Sequence, residues 1–594
     1  MAETKLTHNT DERQMRRLFD KNTIYQVPLF QRAYRWMPAK VKKFEIDLLT
    51  TLESDDDLHF LGAVIIHRVD SNFPDVEVYE IIDGQQRVTT VYLHLVAAAM
   101  ILASTDDGVT DAQRFLFTYL INNEFTYNKP ATIKLQPSRD DREPLNDVLK
   151  RLLSTGDLRK QTEKIDIAYL AQSAPQPSRR IEKNFNDSVR FFRDQQREGG
   201  NALVKELVET MLDQFSVVVI NVIDPLNGPK IFDSLNSGQE PMTVGDLVRN
   251  DIFARESKLS VEELEDKHWK PFFEGFGDPS NGLFENYFFP FGLIEKPNVK
   301  KADIYQKLRE SWVERKLSGS KVIEDLGEYQ PDYMMLQTGQ PLSAHPAPVG
   351  KAFKRFYLMG ATSALLPFTM RLSREVRSGN FDPGICVDIL AVLDSFLTRR
   401  ATVGQEPTGL HALFKTLWSD AQNLGAVSVD AVRAVISSAK TVQWPTDEDF
   451  AKAIRERRLY GVKVTPYLLH ELNRALGGDV DDELDFWIEH VLPQTPAAGW
   501  EAFSAQERAL FDDTLANLLP LTQAMNIAVS NGPYTGKRPI FQDDSKYKMT
   551  RKFADKYGDW NPQTLRARAD VLASEALSRW PYGPTTPDRN ANRG

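Results

Sequence analysis

The chain of 594 residues contains one cysteine, Cys386, and only nine histidines. A single cysteine excludes a disulfide framework and a cysteine-ligated zinc site within the chain. No apolar run approaches the roughly 20 residues that a membrane-spanning helix needs, and the nearest candidate, residues 91–104, is interrupted by His94. The N-terminal residues are polar and charged and lack the apolar core of a signal peptide. We therefore expect a cytoplasmic protein with no membrane segment.

Acidic residues outnumber basic ones, 83 against 73, which gives a net charge of −10. This balance argues against a protein that coats nucleic acid without selectivity. The stretch KYKMTRKFADKYGDW, residues 546–560, reverses it locally by placing lysines and arginines beside aromatic residues. Such a run is usually a solvated helix face, but it is also typical of a nucleic-acid contact.

The length favours about three or four domains of ordinary size. Strand-like and helical patterns alternate in the first hundred residues and predict a mixed α/β domain. The rest reads mostly as helix, so we predict an α+β fold that is predominantly helical. The predicted domains are an N-terminal domain with a helical insertion, a helical spacer and linker, a second helical region and a C-terminal domain, at 1–255, 256–350, 351–480 and 481–594.

The C-terminal stretch WIEHVLPQTP, residues 487–496, places a glutamate and a histidine before a proline corner. A lone histidine in this setting is more often structural than catalytic. Here three asparagines follow within about 40 residues, and together the set suits metal-assisted phosphodiester cleavage. That chemistry needs oxygen ligands for a hard cation, a neutral imidazole to take a proton from water, and a group that orients the imidazole. Glu489 and His490 are adjacent, and adjacent side chains of a strand point to opposite faces. Both could therefore serve one site only if the chain turns there, and Pro493 is compatible with such a turn.

The N-terminal stretch EIIDGQQRVTT, residues 80–90, lies between an apolar strand-like run and a helical pattern. Gly84 at this turn permits a positive φ or a close backbone approach, and a helix N-terminus attracts anions. Arg87 could reach a phosphate, Asp83 could coordinate Mg²⁺ or a water, and Gln85 and Gln86 would add uncharged donors. The alternative is an ordinary helix start with a surface arginine.

Three segments together resemble the GmrSD-type, modification-dependent (type IV) restriction endonucleases. VPLFQRAYRW (27–36) and DGQQR resemble the hallmarks of the ParB/sulfiredoxin-like N-terminal domain of that family. EHVLPQ…NLLPLT…N resembles the His-Asn-Asn form of its C-terminal HNH (ββα-metal) nuclease domain, and IFDSLNSGQEPMTVGDLVRN (231–250) resembles its turn-and-helix. In this last segment Thr243 and Asp246 predict a capping box at a helix start. Phosphorothioate-sensing defence nucleases are close relatives of the family.

The resemblance is imperfect at three positions. Val27 and Phe30 replace an isoleucine and a tyrosine of the N-terminal hallmark, and Pro520 replaces a small polar residue. Pro520 could distort the strand between two of the asparagines.

The resemblance implies a set of site residues. It makes His490 the general base, Asn517 the residue that positions it, and Glu489 and Asn526 the metal ligands. It implies a nucleotide site formed by Asp83, Gly84, Gln85, Gln86 and Arg87. Residues that sense DNA or line the pocket would be Phe30, Gln31, Arg32, Tyr34 and Trp36. Further phosphate contacts would come from Asn531, Lys537 and Asn236.

The function implied is a nucleotide-regulated endonuclease of anti-phage defence that uses Mg²⁺ or Mn²⁺ and whose N-terminal domain hydrolyses a nucleoside triphosphate. Its substrate would be modified DNA, for example with glucosylated or hydroxymethylated cytosine, and a homodimer is compatible with it. A near alternative is a phosphorothioate-sensing NTPase that nicks invading DNA. An alternative of another class is a nucleotide-gated DNA-binding protein with an inactive nuclease domain, which only Pro520 favours.

Overall fold

A computed structural model describes most of the chain. The described residues are 7–19, 22–28, 31, 33–54, 58–70, 76–122, 131–162, 167–170, 179–223, 243–478, 484–496 and 498–583. The chain divides into two compact units, residues 1–271 with 315–323 and residues 272–314 with 324–594. Helices dominate and strands are fewer, which confirms the predicted α+β class. Among the described residues no helix is both long enough and apolar enough to cross a bilayer.

The first unit contains a six-stranded sheet in the order β1-β9-β3-β4-β2-β7 and a smaller sheet in the order β5-β6-β8. The strands are β1 (Thr7–Gln14), β2 (Thr23–Gln26), β3 (His59–Val69), β4 (Glu77–Asp83), β5 (Ile121–Asn122), β6 (Ala131–Ile133), β7 (Leu135–Gln136), β8 (Ile167–Ala168) and β9 (Phe215–Val222). Strands β4 and β7 both run parallel to β2, which lies between them. The carboxyl ends of these three strands therefore lie at one edge of the sheet.

Helices pack on the large sheet and close its main core. These helices are Arg16–Phe19, Pro38–Glu53, Gln85–Leu102, Val109–Phe115, Arg142–Leu153, Leu158–Thr162 and Arg180–Asp213, and the helix Val244–Arg255 follows them in the chain. Gln85–Leu102 is apolar on nearly all sides and buried along most of its length, as expected for a helix at the centre of a core. It packs against Arg180–Asp213, which in turn packs against Pro38–Glu53. This explains why residues 91–104 are the most apolar run of the sequence.

The predicted capping box is confirmed. Thr243 accepts a hydrogen bond from the backbone N–H of Asp246, and the Asp246 carboxylate accepts one from the N–H of Thr243. Asn236, in the turn before this helix, lies outside the described residues.

The other described residues are mostly helical, apart from one two-stranded sheet of β10 (Trp487–His490) and β11 (Leu518–Leu521). The helices are Val261–Leu264, Lys270–Glu274, Leu283–Glu295, Ile304–Glu314, Gly319–Gly327, Gln330–Thr338, Ala347–Met359, Leu366–Arg377, Pro383–Val403, Leu410–Asn423, Val429–Ser438, Asp447–Glu456, Thr465–Ala475, Ala505–Phe511, Gln523–Val529, Tyr534–Pro539, Lys548–Lys556 and Pro562–Arg579. A separate aromatic-rich core, which includes Trp500, Phe553 and Trp560, surrounds the two-stranded sheet. This core fixes the position of the EH motif.

Candidate functional site

The EH motif ends the first strand of a short antiparallel pair. His490 lies opposite Leu518, and Ile488 lies opposite Pro520 without any shift in register. Proline is tolerated in edge strands, where a missing N–H breaks no ladder bond. The Pro520 carbonyl also accepts a hydrogen bond of 2.8 Å from the Thr550 hydroxyl. The pairing of β10 and β11 is therefore regular at Pro520.

The imidazole of His490 is held by a carboxylate that the motif does not contain. His490 Nε2 lies 3.0 Å from Asp513 Oδ1, which also accepts a hydrogen bond of 2.8 Å from Gln494 Nε2. Arg458 Nη2 donates to Asp513 Oδ2 at 2.5 Å, and the ring of Tyr460 is centred 4.2 Å from the imidazole. An ionised carboxylate can only accept hydrogen bonds, so the imidazole proton is assigned to Nε2. The Nδ1 lone pair is then left as a proton acceptor.

The charge states of this pair suit a general base. Burial lowers the pKa of His490 below its ordinary value, and the hydrogen bond to Asp513 opposes this only in part. Burial raises the pKa of Asp513, but hydrogen bonds from Gln494, His490 and Arg458 outweigh it and hold that pKa below its usual value. Near neutral pH the imidazole is therefore neutral and the carboxylate is ionised.

Glu489 meets a different partner, as strand alternation requires. Its Oε1 accepts a hydrogen bond of 2.5 Å from Lys537 Nζ, which also donates to the His490 carbonyl at 3.0 Å. Glu489 is 9% exposed and Lys537 only 1% exposed. Burial raises the pKa of Glu489 and lowers that of Lys537, and in each case the partner opposes the shift. Lys537 thus forms a buried ion pair with the residue beside the candidate base.

Asn517 holds the chain on both sides of the His490–Asp513 pair. It is fully buried. Its Nδ2 donates to the carbonyls of Leu492 and Asp512, at 2.9 and 2.8 Å, and its Oδ1 accepts from the Leu492 N–H at 2.8 Å. Asn517 therefore contacts backbone just after His490 and just before Asp513, and its contribution to the imidazole position passes through that backbone.

The other two asparagines lie farther along the chain. Asn526 is half-buried on the helix Gln523–Val529, which is capped by Thr522 and packs against β10. Asn531 is exposed and follows Ser530, whose φ of +42° is uncommon for a residue with a side chain. No group of three or more His, Cys, Asp or Glu is placed to hold a metal among the residues that the structure describes. The expected metal ligands, Glu489 and Asn526, are one carboxylate and one amide, so they do not form a group of this kind.

At the sheet edge, the DGQQR motif forms the predicted strand-to-helix turn. Gly84 has φ +92°, and a Cβ there would lie 2.9 Å from Cγ2 and 3.0 Å from Cα of Val64. Arg87 is buried, with its Nη1 2.5 Å from the Ala63 carbonyl oxygen and 3.8 Å from Asp83 Oδ2. Burial lowers the pKa of Arg87, and Asp83 opposes this. The turn requires glycine for both its φ and its contact with β3.

Gln86 and Gln31 bind backbone rather than facing solvent. Gln86 Oε1 accepts from the N–H groups of Arg35 and Trp36, at 2.7 and 3.2 Å. Gln31 Nε2 donates to the carbonyls of residues 81 and 82 in β4, at 3.0 and 3.2 Å. The two glutamines thereby join the DGQQR turn and the 27–36 segment into one unit. Gln85, beside Gln86, is half-buried.

The aromatic residues of the 27–36 segment differ in exposure. Tyr34 is buried, its hydroxyl lies 2.8 Å from Thr90 Oγ1, and burial raises its pKa to about 12. Trp36 is half-buried and carries the Lys40 ammonium 4.9 Å from its ring centroid. Phe30 and Arg32 lie outside the described residues. Of the predicted DNA-sensing residues that are described, Trp36 is thus the more accessible aromatic.

Asp513 and Arg458 were missed by the sequence analysis. The adjacent acids of FDDTLANLL, five and four residues before Asn517, were a usable signal for Asp513. Arg458 and Tyr460 come from the connection between the helices Asp447–Glu456 and Thr465–Ala475, and no sequence pattern links them to His490.

Two models of known protein families match parts of the chain. Residues 15–253 match the family model described as the N-terminal domain of the GmrSD restriction endonuclease, and residues 444–575 match its C-terminal domain. The two matches contain the DGQQR turn and the His490–Asp513 pair, respectively. No match was found among the curated proteins.

Proposed function

The chain belongs to the GmrSD restriction endonuclease family, whose two domain models together match more than half of it, and we propose that it is a nucleotide-regulated, metal-dependent endonuclease of the HNH type. Its proposed substrate is modified DNA, such as DNA with glucosylated or hydroxymethylated cytosine, and its proposed role is defence against phage. The observation that carries the proposal is the 3.0 Å contact between His490 Nε2 and the Asp513 carboxylate, from which we assign Nδ1 as the proton acceptor.

In the proposed reaction His490 Nδ1 takes a proton from a water as the water oxygen attacks a phosphodiester phosphorus. A P–O bond forms with the water oxygen, and the bond to the 3′ oxygen breaks. Asp513 stabilises the imidazolium that results, and the proton later passes to solvent or to the leaving oxygen. Asn517 keeps both members of the pair in place through the backbone.

Mg²⁺ or Mn²⁺ would be held by Glu489 and Asn526. The residues fit this role in their chemistry, since Glu489 offers a buried carboxylate that already binds a cation, the Lys537 ammonium. Hard divalent cations prefer such oxygen ligands. The ion would supply positive charge for the phosphate oxygens and the leaving oxygen. Lys537, which donates to Glu489 and to the His490 carbonyl, would keep this strand end in place.

A nucleoside triphosphate would bind at the DGQQR turn. The turn offers the N-terminus of a long helix, a glycine with no Cβ, and the Arg87 guanidinium, while Asp83 would hold a Mg²⁺ ion or a water beside the phosphates. These features suit phosphate groups. Gln86 and Gln31 join the turn to the 27–36 segment, so nucleotide binding has a physical route to the residues expected to sense DNA.

The test is cleavage of supercoiled plasmid by the full chain and by its His490→Ala variant, with Mg²⁺ or Mn²⁺ and with or without each nucleoside triphosphate. The plasmid would be unmodified, glucosyl-hydroxymethylcytosine-containing or phosphorothioated. Cleavage of base-modified DNA only, lost in the variant, is the expected result. His490-dependent nicking of unmodified plasmid would point to the phosphorothioate-sensing alternative. The absence of His490-dependent cleavage under every condition would favour the nucleotide-gated DNA-binding protein.

A further inference from the structure

A third segment leaves the sheet at the same carboxyl edge as the two N-terminal motifs. The DGQQR turn follows β4, the 27–36 segment follows β2, and residues 137–142 follow β7. Because β4, β2 and β7 are consecutive parallel strands of the sheet, all three segments leave it at the same edge. Ligands of parallel sheets bind at this edge. Residues 137–142 have no role in the function proposed above.

Asp141 in this third segment also holds the 27–36 segment. Its Oδ2 accepts a hydrogen bond of 2.5 Å from the Tyr34 N–H. The next two backbone N–H groups, those of Arg35 and Trp36, donate to Gln86. Three successive amides are thus divided between a residue of the DGQQR turn and Asp141.

The second oxygen of Asp141 lacks a donor. Asp141 is 2% exposed, and its Oδ1 is buried with no hydrogen-bond partner among the residues that the structure describes. Its neighbour Arg139 is paired instead with Asp266, at 3.1 Å. A buried carboxylate oxygen without a donor is costly, and burial raises the pKa of Asp141 to about 7. Such an atom in a folded protein calls for an explanation, and a ligand is one.

The chemistry of the missing partner is restricted. When Asp141 is ionised, its Oδ1 needs a hydrogen-bond donor, and the phosphates of a nucleotide at neutral pH bring only acceptors. The DGQQR turn, with its helix N-terminus and Arg87, suits phosphate. A donor must therefore come from the rest of the nucleotide, and carboxylates at such sheet edges bind ribose hydroxyls.

We propose that Asp141 is a nucleotide-binding residue whose Oδ1 accepts a hydrogen bond from a ribose hydroxyl, while the DGQQR turn binds the phosphates. This rests on the proposed binding of a nucleoside triphosphate by the N-terminal domain. It makes the site selective for ribonucleotides over deoxyribonucleotides, whichever base is preferred.

The test measures binding to the full chain by titration calorimetry. The probes are the four ribonucleoside triphosphates, the 2′-deoxy and 3′-deoxy forms of the tightest binder, and inorganic tripolyphosphate. The wild-type protein should bind one deoxy form about 10- to 100-fold more weakly than the ribonucleotide, the loss expected for one hydrogen bond to a charged group. Asp141→Asn replaces a charged acceptor by a neutral amide, so it should weaken ribonucleotide binding, reduce the ribose preference, and leave tripolyphosphate binding within about twofold.

Asn184→Ala is the matched control. The Asn184 amide donates to the Tyr34 hydroxyl and to the Trp36 carbonyl, at 3.2 and 2.8 Å, so it holds the same segment without being part of the sheet edge. This variant should keep the ribose preference. Equal losses of that preference in both variants, or equal affinity of the wild type for ribo and both deoxy forms, would overturn the role of Asp141. A wild type that binds neither nucleotide nor tripolyphosphate would overturn the proposed nucleotide site as well.

Discussion

Replacing Asp513 by asparagine tests the central contact of the candidate nuclease site. All three partners of the Asp513 carboxylate are donors, namely His490, Gln494 and Arg458. Asparagine has one acceptor oxygen, so its NH₂ must face one of them. The Arg458 side chain is 57% exposed and the imidazole 12% exposed. Arg458 can therefore move into solvent, and the asparagine oxygen will stay on the imidazole.

The Asp513→Asn protein therefore keeps the imidazole proton on Nε2 but loses the negative charge beside it. A charge-assisted hydrogen bond exceeds a neutral one by about 1–2 kcal/mol, which corresponds to a fall of about 5- to 30-fold in the rate of cleavage. The carboxylate also raises the pKa of His490 against the effect of burial. Its loss lets that pKa fall further, so the acidic limb of the pH–rate profile moves to lower pH while the plateau drops.

The assay is single-turnover cleavage of a plasmid that the wild type cuts, at fixed metal concentration, from about pH 5 to about pH 8. Asp512→Asn is the matched control, since it makes the same change of charge one residue away. Asp512 accepts the Asp513 N–H at 2.8 Å and is not bonded to the imidazole. Its variant should lose less rate and shift the limb less.

Two results would refute this reasoning. One is an acidic limb that stays in place or moves to higher pH in the Asp513→Asn protein, because the carboxylate would then not control the protonation of His490. The other is an equal loss of rate in the Asp513→Asn and Asp512→Asn proteins, because the rate would then depend only on the total negative charge of the loop. Asp513→Ala, which removes the acceptor altogether, should lose more activity than Asp513→Asn.

Two further predictions concern the supporting residues. Lys537→Met leaves the buried Glu489 carboxylate without its partner and should lower the free energy of unfolding by about 3–5 kcal/mol in urea denaturation. Adding Glu489→Gln should recover most of this loss, and a double variant as unstable as the single one would contradict the ion pair. Gly84→Ala places a Cβ 2.9 Å from the nearest side-chain carbon at φ +92°, and should cost more than about 1 kcal/mol and weaken tripolyphosphate binding. Gly379→Ala, at φ +76° with open space around it, is the control and should cost less in unfolding without affecting that binding.

Local pattern predicted the elements around the DGQQR turn correctly. An apolar run, a glycine and a second apolar run with helical spacing define the end of β4, the turn and the helix Gln85–Leu102. Thr243 and Asp246 predict their capping box for the same reason, since both partners lie within one turn of helix. The targets of Gln31 and Gln86 were not predictable, because each glutamine binds backbone about 50 residues away in the sequence.

The candidate nuclease site likewise combines a motif that the sequence identifies with contacts that it does not predict. The motif identifies His490, but its carboxylate partner depends on the register of β10 and β11. His490 lies opposite Leu518, so the residues just before Leu518 must run alongside those just after His490. This register brings Asp513 to the imidazole and Asn517 to the backbone of Leu492. A sequence that shows two adjacent acids before an asparagine does not show which of them faces the histidine.

Strand alternation explains why neighbours as close as Glu489 and His490 have opposite electrostatic surroundings. Glu489 meets a cation, Lys537, and His490 meets an anion, Asp513. The two contacts are nevertheless joined, because Lys537 Nζ also donates to the carbonyl of His490. A substitution of Lys537 can therefore displace the imidazole of His490 through the backbone of His490. For this reason, a loss of cleavage in a Lys537 variant does not by itself show that Lys537 contacts a phosphate. The pH–rate profile separates the two readings, since displacement of the imidazole from Asp513 moves the acidic limb and loss of a phosphate contact lowers the rate alone.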